Sequence, residues 1–217
     1  MRRLLCAVFV LSLFVAVAAA QDVPKVEVFG GYALERVGFP EMNASDFEDI
    51  WYEFGIYPDS FETKKFLKAG FLGSFTYNAT DVVGIEADFR YNKGDIVEAR
   101  FSAEDINGTI KIKYSDFSFL VDPRFALRQS DAVTPFAHFL IGVDRAKLSS
   151  EASAAGESAS VDAGSDSGFA FALGGGLDVN VNENFGIRLI QADYIRTKHW
   201  EEGMNNLSLA FGVVARF

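Results

Sequence analysis

Side-chain character alternates with a period of two over most of the chain, and this pattern restricts the possible folds more than any other feature. In one segment the alternation has no exception: Val83, Ile85, Ala87, Phe89 and Tyr91 are separated by Gly84, Glu86, Asp88, Arg90 and Asn92. Successive side chains of a β-strand point to opposite faces of the sheet. The pattern therefore predicts strands that have one apolar and one polar face.

Eight such strands can be traced along the chain. They begin near residues 25, 66, 83, 117, 137, 169, 187 and 207, and the last one ends at Phe217. In the seventh, Gln191 and Asp193 fall on the apolar side, and a bulge near Ile190 would restore both faces. A similar slip separates Tyr114 from Phe117 in the fourth. We predict an all-β fold, an eight-stranded antiparallel up-and-down barrel, with the registers of these two strands left open.

The predicted connections alternate between short and long. Short ones lie near residues 78–81, 128–133 and 181–184, and longer ones near 36–65, 93–109, 145–168 and 197–205. Transmembrane barrels of bacterial outer membranes have short periplasmic turns and long outer loops. The layout indicates such a barrel, located in the bacterial outer membrane with both termini in the periplasm. Within the third long connection, residues 149–167 are rich in Ser, Ala, Gly and Asp and predict disorder.

The polar face shows which side of the strands meets lipid. Soluble barrels also have period-two strands, but their apolar faces point inward. Here the polar face combines charges with small residues such as Gly31, Gly142 and Gly174. A hydrated outer surface has no need of glycine, whereas a narrow interior has. We therefore expect the apolar face to contact lipid, with Lys111 and Lys113 above the bilayer.

Residues 1–20 have the order of a secretory signal peptide. Arg2 and Arg3 precede an apolar stretch that ends in three alanines at positions 18–20. This stretch is shorter than the roughly 20 residues that a transmembrane helix needs. The single cysteine, Cys6, lies within it, so the mature chain would form no disulfide. We predict a cleaved signal at 1–20 and one barrel domain at 21–217.

The mature chain is strongly acidic. Without residues 1–20 it contains 18 basic and 30 acidic residues, a net charge of −12. Nucleic-acid binding requires a basic surface, so no nucleic-acid partner is expected. The 22 phenylalanines and 19 glycines suit many strands with aromatic residues on one face and small residues on the other.

Three stretches carry a resemblance to a known family. These are VEVFGGY at Val26 to Tyr32, FLVDPRFA at Phe119 to Ala126 followed by TPFAHFLIG from Thr134, and the terminal aromatic Phe217. With them the mature chain resembles the OmpA/OmpX-type small outer-membrane β-barrels. The resemblance implies outer-membrane lipid as surroundings and recognition of the last strand, ending at Phe217, by the outer-membrane assembly machinery. The chain ends at the barrel, so we expect no periplasmic peptidoglycan-binding domain.

Charges of both signs occur on the polar faces of neighbouring strands. Buried charges must pair or stay hydrated, so an ion-pair network inside the barrel is expected. Its predicted members are Glu27, Glu86, Asp88, Arg90, Arg124, Asp178, Arg188 and Arg216. The alternative is that these groups line a gated channel, although eight strands leave little room for one.

The two histidines do not indicate an active site. Outer-membrane lipid deacylases of similar architecture combine a histidine with a nearby serine and an acid, but no serine lies two residues after His138. We interpret His138 as a hydrogen-bonded interior residue. His199, beside Trp200, is interpreted as part of an interfacial girdle and loop cluster. No catalytic residue, cofactor or metal ligand is predicted.

The first long connection is the most distinctive candidate contact surface. It interleaves seven acids with aromatic residues, of which Phe47, Trp51, Tyr52, Phe54 and Tyr57 are the candidate contact residues. Ser45-Asp46-Phe47-Glu48 matches a helix capping box and predicts a short amphipathic helix over the barrel mouth. Exposed aromatics suit a binding surface. Packing of the same side chains on the tops of the strands is an equal alternative.

The sequence thus favours a non-enzymatic outer-membrane barrel with a structural or surface-interaction role. A narrow solute or ion pore is the second hypothesis, and a lipid-modifying enzyme is the third.

Overall fold

The computed structural model describes residues 23–39, 43–48, 58–103 and 106–217, so the predicted signal peptide lies outside the described residues. The described strands are β1 (Val26–Arg36), β2 (Ser60–Thr63), β3 (Phe66–Asn78), β4 (Val83–Ala103), β5 (Ile106–Ala126), β6 (Val133–Ala154), β7 (Glu157–Asn180), β8 (Phe185–His199) and β9 (Glu202–Arg216). A 3-10 turn, Ala44–Phe47, precedes β2. No helix among the described residues is long and apolar enough to cross a membrane.

Eight of these strands form a closed antiparallel ring. From β3 to β9 each strand pairs with the next, and β1 pairs with both β3 and β9. The pairing of β1 with β9 runs from Glu27 opposite Arg216 to Arg36 opposite Leu207. The predicted eight-stranded barrel is confirmed. β2 is an addition to it that sequence reasoning missed, a short strand paired with the outer part of β4.

The outward-facing side chains of the ring are apolar. Phe71, Phe89, Phe139, Phe169 and Phe211 each expose 46–60% of their surface. A hydrated surface would make such a belt of exposed aromatic rings unfavourable, whereas lipid would not. Most inward positions between them are polar or small, apart from two small apolar clusters that include Leu72 and Leu140. The predicted direction of the two faces is confirmed.

One end of the barrel, here called the turn end, holds the start of β1, the end of β9 and three short turns. Val26 and Phe217 exchange two backbone hydrogen bonds there, of 3.1 and 2.9 Å. Residues 79–82, 127–132 and 181–184 connect consecutive strands at the same end. These are the three short connections that the sequence predicts.

At the opposite, extended end, strands replace the predicted long loops. β4 to β7 contain 21 to 24 residues each, about twice the 9–11 that a membrane span requires. The loop predictions near 93–109, 145–168 and 197–205 are therefore wrong. β6 and β7 meet in a two-residue turn, Ala155-Gly156, with φ of 52° and 83°, which matches the twist of a hairpin.

The prediction of disorder over 149–167 is also wrong. This segment forms the ends of β6 and β7, with Ser150 opposite Val161. Small polar residues are typical of disorder and of an exposed strand alike, so composition alone could not distinguish the two states. We call the outer parts of β4 to β7, together with β2, the projecting sheet.

The projecting sheet explains the slip in the fourth predicted strand. The register shift beside Tyr114 lies in β4, between Asp95 and Val97. β5 itself continues without an extra residue, and Ile112 and Tyr114 point inward like Asp116 and Ser118. The inner face of β5 changes from polar to apolar as it leaves the membrane span, because water rather than lipid then surrounds its outer face. Lys111 and Lys113 accordingly point outward on the projecting sheet.

In the seventh predicted strand, a bulge explains why the alternation changes parity. The pairing of β8 with β9 shifts register between Arg188 and Gln191, and Leu189 and Ile190 are both exposed. The shift returns Gln191 and Asp193 to the interior. The bulge near Ile190 is confirmed.

Candidate functional site

The barrel interior is filled with charged and polar side chains. The eight predicted network members are all buried there, with no more than 6% of any of them exposed: Glu27, Glu86, Asp88, Arg90, Arg124, Asp178, Arg188 and Arg216. Each of them occupies an inward-facing position of its strand, so the pairing of the strands directs all eight side chains into the barrel. They form two connected layers along the barrel axis.

The first layer, near the turn end, is organised by Arg124 on β5. Its guanidinium nitrogens lie 3.1 Å from Glu27 Oε2, 3.3 Å from Glu86 Oε2 and 3.0 Å from Asp178 Oδ2. These carboxylates belong to β1, β4 and β7, so one side chain connects strands on several sides of the ring. Arg128 adds a second contact, of 2.5 Å, to Glu27.

Arg188 completes this layer. It donates to both carboxylate oxygens of Asp178, at 2.8 and 3.2 Å. Phe136 lies between the two arginines, with its ring centroid 4.2 Å from the Arg124 guanidinium carbon and 4.3 Å from that of Arg188. Arg216 stands at the margin, 4.0 Å from Asp178. The guanidinium groups of Arg124 and Arg188 and the ring of Phe136 thus fill the cross-section of the barrel at this level.

The second layer is built around Arg90 and His138. Arg90 lies 2.8 Å from Asp88 and 2.7 Å from Asp193. His138 Nε2 contacts the other Asp193 oxygen at 2.7 Å. Gly174 makes room for this carboxylate, because a Cβ at that position would lie 2.0 Å from Asp193 Oδ1. The prediction of a hydrogen-bonded interior His138 agrees with these contacts.

The Nδ1 side of His138 faces two further carboxylates. Asp122 Oδ2 lies 3.1 Å and Glu86 Oε1 lies 3.3 Å from this nitrogen. Glu86 and Asp122 are directly opposite each other on β4 and β5, and His138 is on the adjacent β6. The three donor atoms lie within 4.8 Å of one another. Such a set of one imidazole and two carboxylates can hold a proton or a metal ion.

The interior toward the extended end contains more acids than bases. Glu35 accepts hydrogen bonds from Asn92 and Asn206, at 2.6 and 2.8 Å. Asp144 contacts Ser118 through one oxygen, at 2.6 Å, and His199 Nε2 through the other, at 2.5 Å. The assignment of His199 to a girdle and loop cluster is therefore wrong. The bulge in β8 turns this residue inward, where it is 1% exposed.

An apolar cluster closes the extended end of the interior. Its buried members are Val37, Leu67, Ile96, Val97, Tyr114, Ala146 and Met204, and Phe39, Phe61, Ile112 and Leu148 pack against it. The buried members come from the connection after β1 and from five strands of the ring. We call this cluster the apolar cap.

A basic groove of about 690 Å³ opens on the outer wall, at the base of the projecting sheet. Five lysines and one acid are among its lining residues: Thr63, Lys64, Lys65, Phe66, Lys68, Ala69, Lys93, Gly94, Asp95 and Lys113. Toward the turn end, the neighbouring outward positions carry the exposed rings of Phe71, Tyr91 and Phe117, which stand side by side on three strands. The groove thus follows directly on the aromatic belt.

Ion pairs hold part of this wall in place. Glu98 accepts hydrogen bonds from Lys64 and from Arg100, the latter at 2.7 and 3.0 Å. These two bases lower the pKa of Glu98 from 4.5 to about 2. Lys113 lies 2.6 Å from Glu151. In the described chain, no carboxylate lies within ion-pair distance of Lys68 or Lys93.

The first connection is described only in part. The 3-10 turn begins after Asn43, whose N–H donates to Asp46 Oδ2 at 2.7 Å, so the predicted cap at Ser45 is wrong. Phe47 is half-buried, and its ring lies 5.7 Å from that of Phe61, which packs against the apolar cap. The other candidate contact residues, Trp51, Tyr52, Phe54 and Tyr57, lie outside the described residues.

The predicted network left out several charged or titratable groups of the interior, namely Glu35, Asp116, Asp122, Asp144, Asp193, His199 and Arg128. The sequence did contain a signal for Asp122 and Asp144, because both alternate with outward-facing apolar residues of their strands. Asp193 and His199 required the bulge in β8 to be placed first. The proximity of Glu86, Asp122 and His138 depends on the register between three strands, which the sequence does not specify.

Comparison with known proteins agrees with this architecture. The model of the family described as "Outer membrane protein beta-barrel domain" matches residues 5–217. Ail, the attachment invasion locus protein of Yersinia pestis, crystallised with the heparin analogue sucrose octasulfate, is 20% identical, with a TM-score of 0.50 over 88% of this chain and 99% of Ail. Neisserial surface protein A is 10% identical, with a TM-score of 0.51 over 91% and 100% of the two chains.

No curated protein matched significantly. The two similar structures share the fold alone, because their identities are too low to carry function. The family match covers nearly the whole chain and agrees with the closed ring, the lipid-facing aromatic belt and the polar interior. The chain belongs to the family of bacterial outer-membrane proteins with a β-barrel domain.

Proposed function

We propose that this protein is a non-enzymatic, non-conducting outer-membrane barrel that presents its projecting sheet as a contact surface outside the cell. The observation that carries this proposal is the length of β4 to β7, which continue about ten residues past the membrane span as paired strands. A barrel that only sealed the membrane would not need this extension. The short turns face the periplasm and the extended end faces outward, as in other outer-membrane barrels.

The filled interior argues against a pore. Arg124, Arg188 and Phe136 occupy the cross-section near the turn end, and the apolar cap closes the other end. Rearranging buried ion pairs to open a path would leave charges without partners, at a cost of several kcal/mol each. The network of eight charged side chains is therefore proposed to brace the barrel.

The arrangement of Ser118, Asp144 and His199 argues against a lipid hydrolase. In a catalytic triad the imidazole lies between the serine and the acid, so that it can accept the hydroxyl proton. Here the carboxylate of Asp144 lies between the other two groups. All three side chains are buried inside the barrel, away from lipid.

The basic groove indicates the chemistry of the contact. Lysines clustered on an otherwise acidic protein favour phosphate or sulfate groups, which accept charge-assisted hydrogen bonds. The ligand class is a phosphorylated or sulfated saccharide. It can come from the cell's own outer-leaflet lipid or from a surface glycan. The sulfated sugar bound to Ail provides a suitable probe.

The test uses the mature protein in nanodiscs and two probes, sucrose octasulfate and lipopolysaccharide vesicles. K68Q/K93Q removes two groove charges, whereas the control K25Q/K198Q removes two exposed lysines outside the groove. We expect at least tenfold weaker binding for the first variant and no change for the second. Loss confined to one probe identifies the source of the saccharide. Absence of binding to both probes, or equal loss in both variants, contradicts the proposal.

A further inference from the structure

We infer that His138 Nδ1, Glu86 Oε1 and Asp122 Oδ2 form a binding site for one divalent transition-metal ion inside the barrel. The site goes beyond the proposed surface role. It lies between the layer organised by Arg124 and the one around Arg90, where β4, β5 and β6 bring the three donors together.

The distances from His138 Nδ1 to the two carboxylate oxygens fit a metal ion. Metal bonds to imidazole nitrogen and carboxylate oxygen of about 2.0–2.1 Å place neighbouring ligands of a tetrahedron about 3.3 Å apart. His138 Nδ1 is 3.1 Å from Asp122 Oδ2 and 3.3 Å from Glu86 Oε1. All three residues are buried. One imidazole with two carboxylates is a ligand set that suits zinc and neighbouring metals.

The hydrogen bonds around the site leave these atoms available. His138 Nε2 is directed to Asp193, and a carboxylate in this position orients the metal-binding nitrogen of many ligating histidines. Glu86 uses its other oxygen, Oε2, to accept hydrogen bonds from Thr76, at 2.5 Å, and to contact Arg124. His138 Nδ1 therefore faces two carboxylates, an arrangement that either a proton on Nδ1 or a metal ion among the three donors would stabilise.

Asp122 distinguishes a metal ion from a proton. A proton on Nδ1 can be donated to Glu86 Oε1, which has suitable hydrogen-bond geometry. Both oxygens of Asp122 would then stay buried without a hydrogen-bond partner in the described chain. A buried carboxylate without a partner is strongly unfavourable. A metal ion placed among the three donors would satisfy all of them.

The charge balance of the interior points the same way. Leaving aside Glu98 on the projecting sheet, the buried carboxylates are Glu27, Glu35, Glu86, Asp88, Asp116, Asp122, Asp144, Asp178 and Asp193, and the buried arginines are Arg90, Arg124, Arg188 and Arg216. Acids therefore exceed arginines about two to one in the described interior. A divalent cation at His138 would reduce that excess by two charges.

The test measures zinc in the untagged mature protein, folded into detergent with and without Zn²⁺ and then dialysed. Elemental analysis is expected to find one Zn²⁺ per chain in the wild type and less than a tenth of that in H138N and D122N. The matched controls H199N and D144N change the other buried histidine and its acid, and should retain the metal. Wild type without zinc, or zinc retained by both H138N and D122N, overturns the inference.

A second measurement does not depend on the variants being able to fold. In ¹⁵N spectra of the wild-type imidazoles, Zn²⁺ is expected to shift the Nδ1 resonance of His138 and to leave that of His199 unchanged, whereas Mg²⁺ should shift neither. An unchanged His138 resonance at saturating Zn²⁺ overturns the inference. D193N, which removes only the orienting carboxylate, should weaken zinc binding by roughly 10- to 100-fold.

Discussion

A few charged side chains inside the barrel hold its strands together, a role that apolar side chains have in the core of a soluble protein. Arg124 contacts carboxylates from β1, β4 and β7, and it stacks on Phe136 at the same time. Its five N–H donors and flat shape allow both kinds of contact, which a lysine could not reproduce. The cohesion of the interior therefore depends on a few buried cations.

Replacing Arg124 with methionine should destabilise the barrel by about 3–5 kcal/mol, because Glu27, Glu86 and Asp178 would remain buried without their shared partner. Equilibrium unfolding in urea, with the protein in detergent micelles, measures this change. Arg36 on β1 is exposed, so R36Q should stay within about 0.5 kcal/mol of the wild type. Equal stabilities of R124M and R36Q would show that the Arg124 network does not brace the interior.

Acidification should loosen the segment around β2. The pKa of Glu98 is held at about 2, below its ordinary 4.5, so its ion pairs stabilise the folded state above about pH 4.5. This stabilisation is lost as the pH falls from 4.5 toward 2. Hydrogen-exchange protection of the Lys64 backbone N–H, which donates to the Ile96 carbonyl oxygen, measures this loss of stability. E98Q should lose the pH dependence of protection over that range, and an unchanged dependence in E98Q would exclude Glu98 as its cause.

Individual strands show what sequence could and could not predict. Alternation identified the strands of the ring, because lipid outside and charges inside make the pattern strong. It failed where the surroundings change, as at Tyr114, since water then replaces lipid and the inner face becomes apolar. β2 is only four residues long, too short for any periodicity. The cluster of Glu86, Asp122 and His138 depends on cross-strand register, which a linear pattern does not contain.

The hairpin between β8 and β9 carries backbone strain that one substitution should relieve. Trp200 and Glu201 adopt φ of 47° and 68°, a region that disfavours residues other than glycine. E201G should therefore stabilise the barrel by about 1 kcal/mol in urea unfolding. The control E202G lies one residue later, at the start of β9, and should destabilise slightly. Destabilisation by E201G would show that the Glu201 side chain contributes more than the strain costs.

The two parts of the barrel orient their apolar side chains in opposite directions. Within the membrane span, apolar side chains face lipid and charges fill the interior. On the projecting sheet, apolar side chains turn inward to form the apolar cap, and lysines face outward. The two arrangements meet at the aromatic rings beside the basic groove. Together they support the proposal of a sealed barrel with a contact surface outside the membrane.

Conductance in planar lipid bilayers tests whether the barrel is sealed. With the mature wild-type protein inserted from detergent, we expect a baseline without steady single-channel openings, because the Arg124 layer and the apolar cap occupy the interior. A large-pore porin measured in the same bilayers serves as the positive control for insertion and detection. Steady, reproducible openings of the wild-type protein would contradict the sealed barrel and support the pore instead.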